Sequence, residues 1–383
     1  MGASGLYTRE DTAERTYLLY FSFRLGNNEH VMHEGLIQDI KFNCDVSDAK
    51  YWGYFSICGL LMRYRDLFRS ERDFKPWADI SSTDIAEWIE KKEGRWPELE
   101  QENFRALTIG GGTYHPFDSV AINNALNKQG LIYGAGYGMY MKPTFFLAEL
   151  RAIKSVSGHT VYTSNREHVR DLFTSPAMLQ ESDIFIRLEP LKILLTYKFF
   201  EMSAGRGFAL KDAFLHYGFL HRQLIDDTFE KRLEAMAERY AETLLCHELA
   251  EAEEEALEWK DVLAAADDRK AEHYVRAVKD LVADTSDLGP FKQSVEKRDR
   301  GALSLSIGLM EGYRTVLFPE IKTAYTEFLS AGVWDVIEEA RKAGYARFIS
   351  DRDKIVALYK NIGKDSFAAN LRGLIDRKAD SGQ

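Results

Sequence analysis

Cysteine is scarce in this chain, and the three present, Cys44, Cys58 and Cys246, are odd in number and carry no CxxC spacing. That excludes a disulfide framework and a cysteine-rich zinc site, and it points to a reducing, cytoplasmic setting. Long apolar runs are also missing. The longest charge-free stretches, Tyr51 to Met62 and Gln129 to Met141, fall well short of the roughly 20 residues that span a bilayer, so no membrane helix is expected. Basic charge is in deficit, with 50 Lys and Arg against 60 Asp and Glu and a net charge of −10, which argues against a general affinity for nucleic acid. Met1 to Tyr7 has neither a basic nor an apolar region, and Leu6 stands where a myristoylation signal needs Ser or Thr. Neither secretion nor a lipid anchor is expected. Walker A, nucleophile-elbow and kinase signatures are absent as well.

What is present is ample material for a core: 45% of the 383 residues are apolar and 13% aromatic. The length favours two packed units, 1–175 and 176–383. The expected class is mainly α (α+β), a multi-helical protein with one small antiparallel β element in its N-terminal half. Asp11 to Leu25 and Tyr51 to Phe68 are apolar at helical spacing, the second nearly all round its circumference, which predicts a buried helix. Ser81 to Asp84 caps a helix through Ile89 that Gly94 and Pro97 end. Ile109 to Pro116, with Gly110-Gly-Gly112, reads as a loop, after which Asp118 caps a helix to Leu126. Leu131 to Tyr140 and Thr144 to Ile153, rich in aromatic and β-branched residues, form the antiparallel element, with Thr160 to Thr163 as a third strand.

Beyond Pro190 the helical period persists. Apolar residues at three- and four-residue spacing from Phe229 to Leu263 predict one long amphipathic helix, paired with another from Lys270 to Val282. Later, Gly344 reads as a helix stop and Ser350 to Asp353 as the next start. Charge is uneven here. Asp226 to Asp287 holds 19 acids against 8 Lys and Arg, and Arg341 to Lys378 holds 10 basic residues against 4 acids. The two stretches are expected to pair, within the chain or across a dimer.

The most ligand-like short cluster is Glu29-His-Val-Met-His-Glu34. On a helix Glu29/His33 and His30/Glu34 stand four apart and His30/His33 three apart, so two or three of them reach one metal ion. It is not the HExxH signature, and a solvated face of histidines and carboxylates is the competing reading. A second pair, His247 and Glu251, is also four apart, but the stripe through Leu249, Ala256 and Leu263 points the other way. That leaves the pair on a solvated acidic face unless another element covers it. No Glu stands three residues before any His, which excludes a di-iron carboxylate bundle. Gly134, Gly136 and Gly138 do not fit a dinucleotide loop. They leave one strand face bare, either for close packing or as a platform beside Tyr133, Tyr137 and Met139. His115 and Asp118 lie in the Gly-rich connection, where Asp118 is equally an N-cap. Cys58 reads as a small buried hydrophobe.

Three stretches together resemble a family of uncharacterised bacterial proteins of similar length. They are Ile57-Cys-Gly-Leu-Leu-Met-Arg-Tyr-Arg-Asp-Leu67, Gly130-Leu-Ile-Tyr-Gly-Ala-Gly-Tyr-Gly138 with Lys142-Pro-Thr-Phe-Phe-Leu-Ala-Glu-Leu150, and Cys246-His-Glu-Leu-Ala-Glu251. The resemblance implies a bacterial, cytoplasmic protein and no particular chemistry. The long amphipathic helix and the uneven charge favour a non-catalytic interaction or scaffolding protein that takes a protein partner or a second copy of itself. The alternative is a metal-dependent enzyme that draws a divalent ion onto Glu29, His30, His33 and Glu34, joined by His115, Asp118, His247 or Glu251.

Overall fold

The computed structural model describes residues 27–203, 207–220, 225–254 and 259–380, with side chains described for 34–202, 207–220, 225–254 and 259–376. The chain opens with α1 (Asn27–Tyr51), α2 (Ile57–Glu71), α3 (Ser82–Glu93) and α4 (Trp96–Leu99). Then come a hairpin of β1 (Leu107–Ile109) and β2 (Gly112–Tyr114), and α5 (Ser119–Leu126). The main strands follow: β3 (Leu131–Tyr137), β4 (Pro143–Val156), β5 (His159–Arg170), β6 (Ala177–Gln180) and β7 (Asp183–Arg187). From there the described residues are helical: α6 (Leu188–Ser203), α7 (Phe208–His216), α8 (Asp227–Glu253), α9 (Trp259–Ala265), α10 (Arg269–Thr285) and α11 (Pro290–Lys297). The last are α12 (Arg300–Gly308), α13 (Gly312–Leu317), α14 (Pro319–Ala331), α15 (Asp335–Ile362) and α16 (Lys364–Asp380). None of the described helices is long and apolar enough to cross a membrane.

One small antiparallel element understates the strands. The main sheet has five, in the order β3-β4-β5-β7-β6, and it is mixed: β5 and β7 run parallel while every other pair is antiparallel. The physical reason lies in the composition of the missed strands. In β5, His, Ser, Asn, Arg and Glu interrupt the β-branched residues, so only Thr160 to Thr163 carries a strand signature, and β6 and β7 are too short to show a period. The second sheet, β1-β2, occupies the expected loop. Gly110 and Gly111 take φ of +58° and +85°, the left-handed pair that a two-residue hairpin turn requires.

The sheet curls until its edges approach. A Cβ on Gly136 of β3 would fall 1.6 Å from the Gln180 side chain of β6, and one on Gly134 would fall 2.0 Å from the Phe146 ring of β4. The bare face is therefore packed against and offers no platform. Tyr133 is wholly buried, its hydroxyl donating to the Pro116 carbonyl at 2.7 Å. Leu36, Ile40 and Cys44 of α1 cover β3 and β4, while Ala241, Leu244, Leu245 and Leu249 of α8 cover β6 and β7.

A sealed ionic triad fastens α1 to the sheet. Lys142, the residue before β4, places Nζ 3.1 Å from Asp48 and 3.3 Å from Asp171, and it donates to Ser47 Oγ at 2.8 Å. Asp48 also accepts the Leu172 N–H, and Asp171 those of Phe145 and Phe173. All three ionic side chains are buried. Burial pushes Asp48 up to about 6 against the pull of Lys142.

Several helices depart from the periodicity. Only Tyr64, Leu67, Phe68 and Arg69 of α2 are buried; Ile57, Leu61 and Met62 are exposed, as is Cys58, because the described residues cover one face of that helix only. The long helix ends at Glu253, and Trp259–Ala265 forms its own helix in a separate core with α10, α15 and α16. Gly344 is no stop: it lies inside α15, where the Phe318 ring stands 2.8 Å from the position of a Cβ. The acidic and basic stretches pair within the chain, through Arg341–Asp287 at 2.9 Å, Arg352–Glu254 at 3.0 Å and Arg372–Asp268 at 3.3 Å. Ile355, Phe367 and Leu371 are buried beneath them.

Candidate functional site

A cavity of about 470 Å³ opens where the N-terminal helices and sheet meet α6 and α8. One wall comes from α2 and the turn after it. Asp73 adopts a left-handed conformation (φ 56°), so the chain reverses, and the Arg69 guanidinium donates twice to the Ala78 carbonyl, at 3.2 and 3.1 Å, to pin the segment that carries Phe74, Lys75 and Trp77. A third Arg69 donor reaches the Tyr197 hydroxyl of α6 at 3.1 Å, and that hydroxyl donates to Asp66.

The floor comes from the sheet. Glu149 and Arg151 alternate along β4 so that both face the cavity, at a point where the β4–β5 register is irregular; bulges of this kind re-aim side chains. Asn165 and Arg166 of β5 lie alongside. Beneath, Glu167 is buried and held by a two-pronged pairing with Arg187, at 2.6 and 3.0 Å. Glu189, in the first turn of α6, accepts the Glu167 N–H at 2.7 Å. From the far side α8 presents Glu230, Leu233 and Glu234.

Charge of both signs lines this space, and two of its acids are perturbed. Burial raises the Asp66 carboxyl above its ordinary range, although Tyr197, Arg170 and Arg69 all favour its ionised form. Burial also raises Glu189, helped by the nearby Glu167 carboxylate and opposed by the Glu167 N–H, Arg170 and Lys192. Perturbed carboxyls in a concave site identify it as a candidate for binding chemistry. None of these residues stood out in the sequence; the charged interruptions Asp66 and Arg69 in an apolar helix, and Glu149 and Arg151 in an apolar strand, were the available signal.

The expected ligand residues lie elsewhere. Glu29, His30 and His33 fall outside the described side chains, although α1 includes their positions, and Glu34 is exposed on that helix. Asp118 caps α5 by accepting the Ala121 N–H at 3.1 Å. The His115 Nδ1 accepts the Phe117 N–H at 3.3 Å. His247 and Glu251 do converge, because α10 covers the α8 face expected to be solvated. His247 Nε2 lies 3.3 Å from Glu251 and Nδ1 2.8 Å from Asp284. Among the described residues, His247, Glu251 and Asp280 form the one group of three whose ligand atoms lie within 4.8 Å of one another.

That group is already neutralised from within. Lys279 pairs with Glu251, and Arg314 lies 3.8 Å from Asp280 and 3.5 Å from Asp284. Burial works against a charged imidazole, yet Asp284 and Glu251 hold His247 protonated well above its ordinary range. A metal ion would have to displace both that proton and Lys279. The cluster as it stands is an inter-helix clamp.

The N-terminal domain of a family of unknown function (DUF6866) matches residues 35–187, and the C-terminal domain of the same family matches residues 192–378. The chain belongs to this family. No curated protein and no solved structure matches it. The cavity straddles the two DUF6866 domains: α2, β4 and β5 fall in the first, Lys192, Ile193 and α8 in the second, and Glu189 in the short stretch between them.

Proposed function

We propose that this protein binds a small polar molecule in the cavity between its two DUF6866 domains. The observation that carries the reading is a space of about 470 Å³ lined from both domains, inside the size range of small-molecule sites. The raised Asp66 and Glu189 carboxyls support it, since titratable groups perturbed by burial and lining a concave space cluster at binding sites. The test is thermal denaturation of the full chain against a panel of small metabolites sorted by charge. A ligand at about 100 times its Kd adds roughly 2.7 kcal/mol of stability, and Ile193→Trp, which fills the cavity, should abolish that gain. Stabilisation that survives the filled cavity, or none from any class, would remove the reading.

A second reading, an interaction or scaffolding role, rests on a different surface. Trp52, Tyr54, Ile57, Leu61 and Met62 are each at least 45% exposed, Ile57 reaching 80%, and contiguous exposed apolar side chains mark contact surfaces. A protein partner or a second copy would cover them. Light scattering of the native protein and of Ile57→Glu tests this: a mass that is monomeric in both disfavours self-association. A cytoplasmic, bacterial setting belongs to the same proposal, supported by three unpaired thiols and the sequence resemblance.

A further inference from the structure

The charges lining the cavity sort into matched and unmatched groups. Each cation already has an acid. Arg151 pairs with Glu234 at 3.4 Å and with Glu238, and Lys192 reaches Glu234 at 2.7 Å. Lys75 pairs with Glu230, and Arg166 with Asp73 at 3.2 Å. Arg69 is spent on the Ala78 carbonyl, the Tyr197 hydroxyl and Asp66.

Two acids remain. The Glu149 side chain has no hydrogen-bond or ion-pair partner among the described residues, and the Glu189 side chain has one hydrogen bond, accepted by its Oε2 from the Glu167 N–H, and no ion pair. An anionic ligand would have to share each cation with an acid already paired to it. A cationic one meets two carboxylates that form no ion pair among the described residues.

We infer that the ligand carries an ammonium or guanidinium group, seated between Glu149 and Glu189 with its hydrocarbon part toward Trp77 and Phe74. The inference rests on the cavity reading above and names the class of molecule that the cavity takes. Phe74 and Trp77 in the lining suit the same class, because they give the hydrocarbon part of such a ligand apolar surface to cover. The raised Glu189 carboxyl agrees, since an arriving positive charge relieves the burial that lifts it.

The experiment is isothermal titration calorimetry of the full chain with putrescine, spermidine and agmatine, with citrate and inorganic phosphate as anionic probes. The native protein, Glu149→Gln, Glu189→Gln and the cavity-filling Ile193→Trp are compared at near-physiological salt. Binding of at least one amine, weakened about tenfold or more by each Glu→Gln change and lost in Ile193→Trp, is the expected result. If Glu189→Gln does not fold, Glu149→Gln alone reads the outcome, and Glu149→Lys, which supplies a tethered ammonium, should block the amine. Three results overturn the inference. Amine binding unaffected by Glu149→Gln but lost in Ile193→Trp refutes the carboxylate seat and leaves the cavity standing. So does citrate or phosphate binding that Ile193→Trp abolishes while the amines give no heat. Silence from every probe, or binding indifferent to Ile193→Trp, refutes the amine class and the cavity reading together.

Discussion

Two groups of buried and half-buried charge lie on the same sheet and have opposite character. Around Lys142 the ionic partners are sealed: Asp48 and Asp171 are wholly buried and fully engaged by the lysine and by backbone N–H groups. The cavity beside Glu149 and Glu189 is open to solvent, and those two carboxylates form no ion pair among the described residues. A matched and sealed set leaves nothing for a ligand to bind, however concentrated its charge, and removing one member is destabilising because the others stay behind in low dielectric. An unmatched, accessible pair contributes little to the fold and keeps its interaction energy for a partner. The lesson is that charge density alone does not identify a site; what matters is which charges lack a counterpart and whether anything can reach them.

The sharpest way to break this contrast is Lys142→Met. It leaves the buried Asp48 and Asp171 without the cation paired to both, and a loss of about 3–5 kcal/mol is expected from urea denaturation. Asp48 already titrates upward, at about 6, so its folded pKa exceeds its unfolded one. The penalty is then smallest below the unfolded value and grows as pH rises through the folded one, so the variant should lose more at pH 8 than at pH 5. A variant as stable as the native protein would show that the triad does not fasten α1.

Next in size is Gly134→Val. The Phe146 ring occupies the place of its side chain, and overpacking of this kind costs about 1–3 kcal/mol. Gly136→Val should cost less, because the obstacle is the flexible end of Gln180, which can swing aside. Melting temperatures of the two variants in the reverse order would deny the rigid approach at Gly134.

These strand glycines were legible in the sequence because period-two spacing alone exposes a bare face, and the caps at Ser81 and Asp118 were legible because capping is local chemistry. The cavity was not. Its acids and cations come from positions near 66, 149, 166, 189 and 230, on five elements, and in one dimension each looks like an ordinary solvent-facing charge. The same limit applied to His247 and Glu251: their helix showed which face was apolar, but not that α10 would cover the opposite one. Strand β5 was hidden for a related reason, since its polar residues are satisfied by neighbours distant in sequence, such as Arg187 for Glu167.

The clamp between α8 and α10 is intermediate, sealed yet carrying one acid more than its cations match. Glu248 is pushed up to about 7 by burial and by Glu251, against His247 and Lys279. Its folded pKa lies above the unfolded one, so the native protein should lose stability as pH rises through 7, and the neutral form is already present below about 4.5. Glu248→Gln is expected to be ~1–2 kcal/mol more stable than the native protein at pH 8 and indistinguishable from it at pH 4. A pH-independent difference would mean that Glu248 is not the overloaded group.

The smallest effect on the fold belongs at the cavity mouth. Arg166 and Asp73 pair at 3.2 Å, but their side chains are 54% and 74% exposed, and such pairs contribute about 0–1 kcal/mol because water screens them and both chains lose rotamer freedom. Arg166→Gln should therefore change stability by less than about 0.5 kcal/mol. Its effect on binding should be visible all the same. Losing a positive charge at the mouth makes the potential there more negative, so an amine that binds Glu149 and Glu189 should bind about twofold more tightly at low salt. At an ionic strength of about 1 M the Debye length falls to roughly 3 Å, and the gain should vanish while contact with the two carboxylates persists. If Arg166→Gln instead weakens the amine, the arginine is part of the seat and the division between matched and unmatched charge does not hold at this cavity.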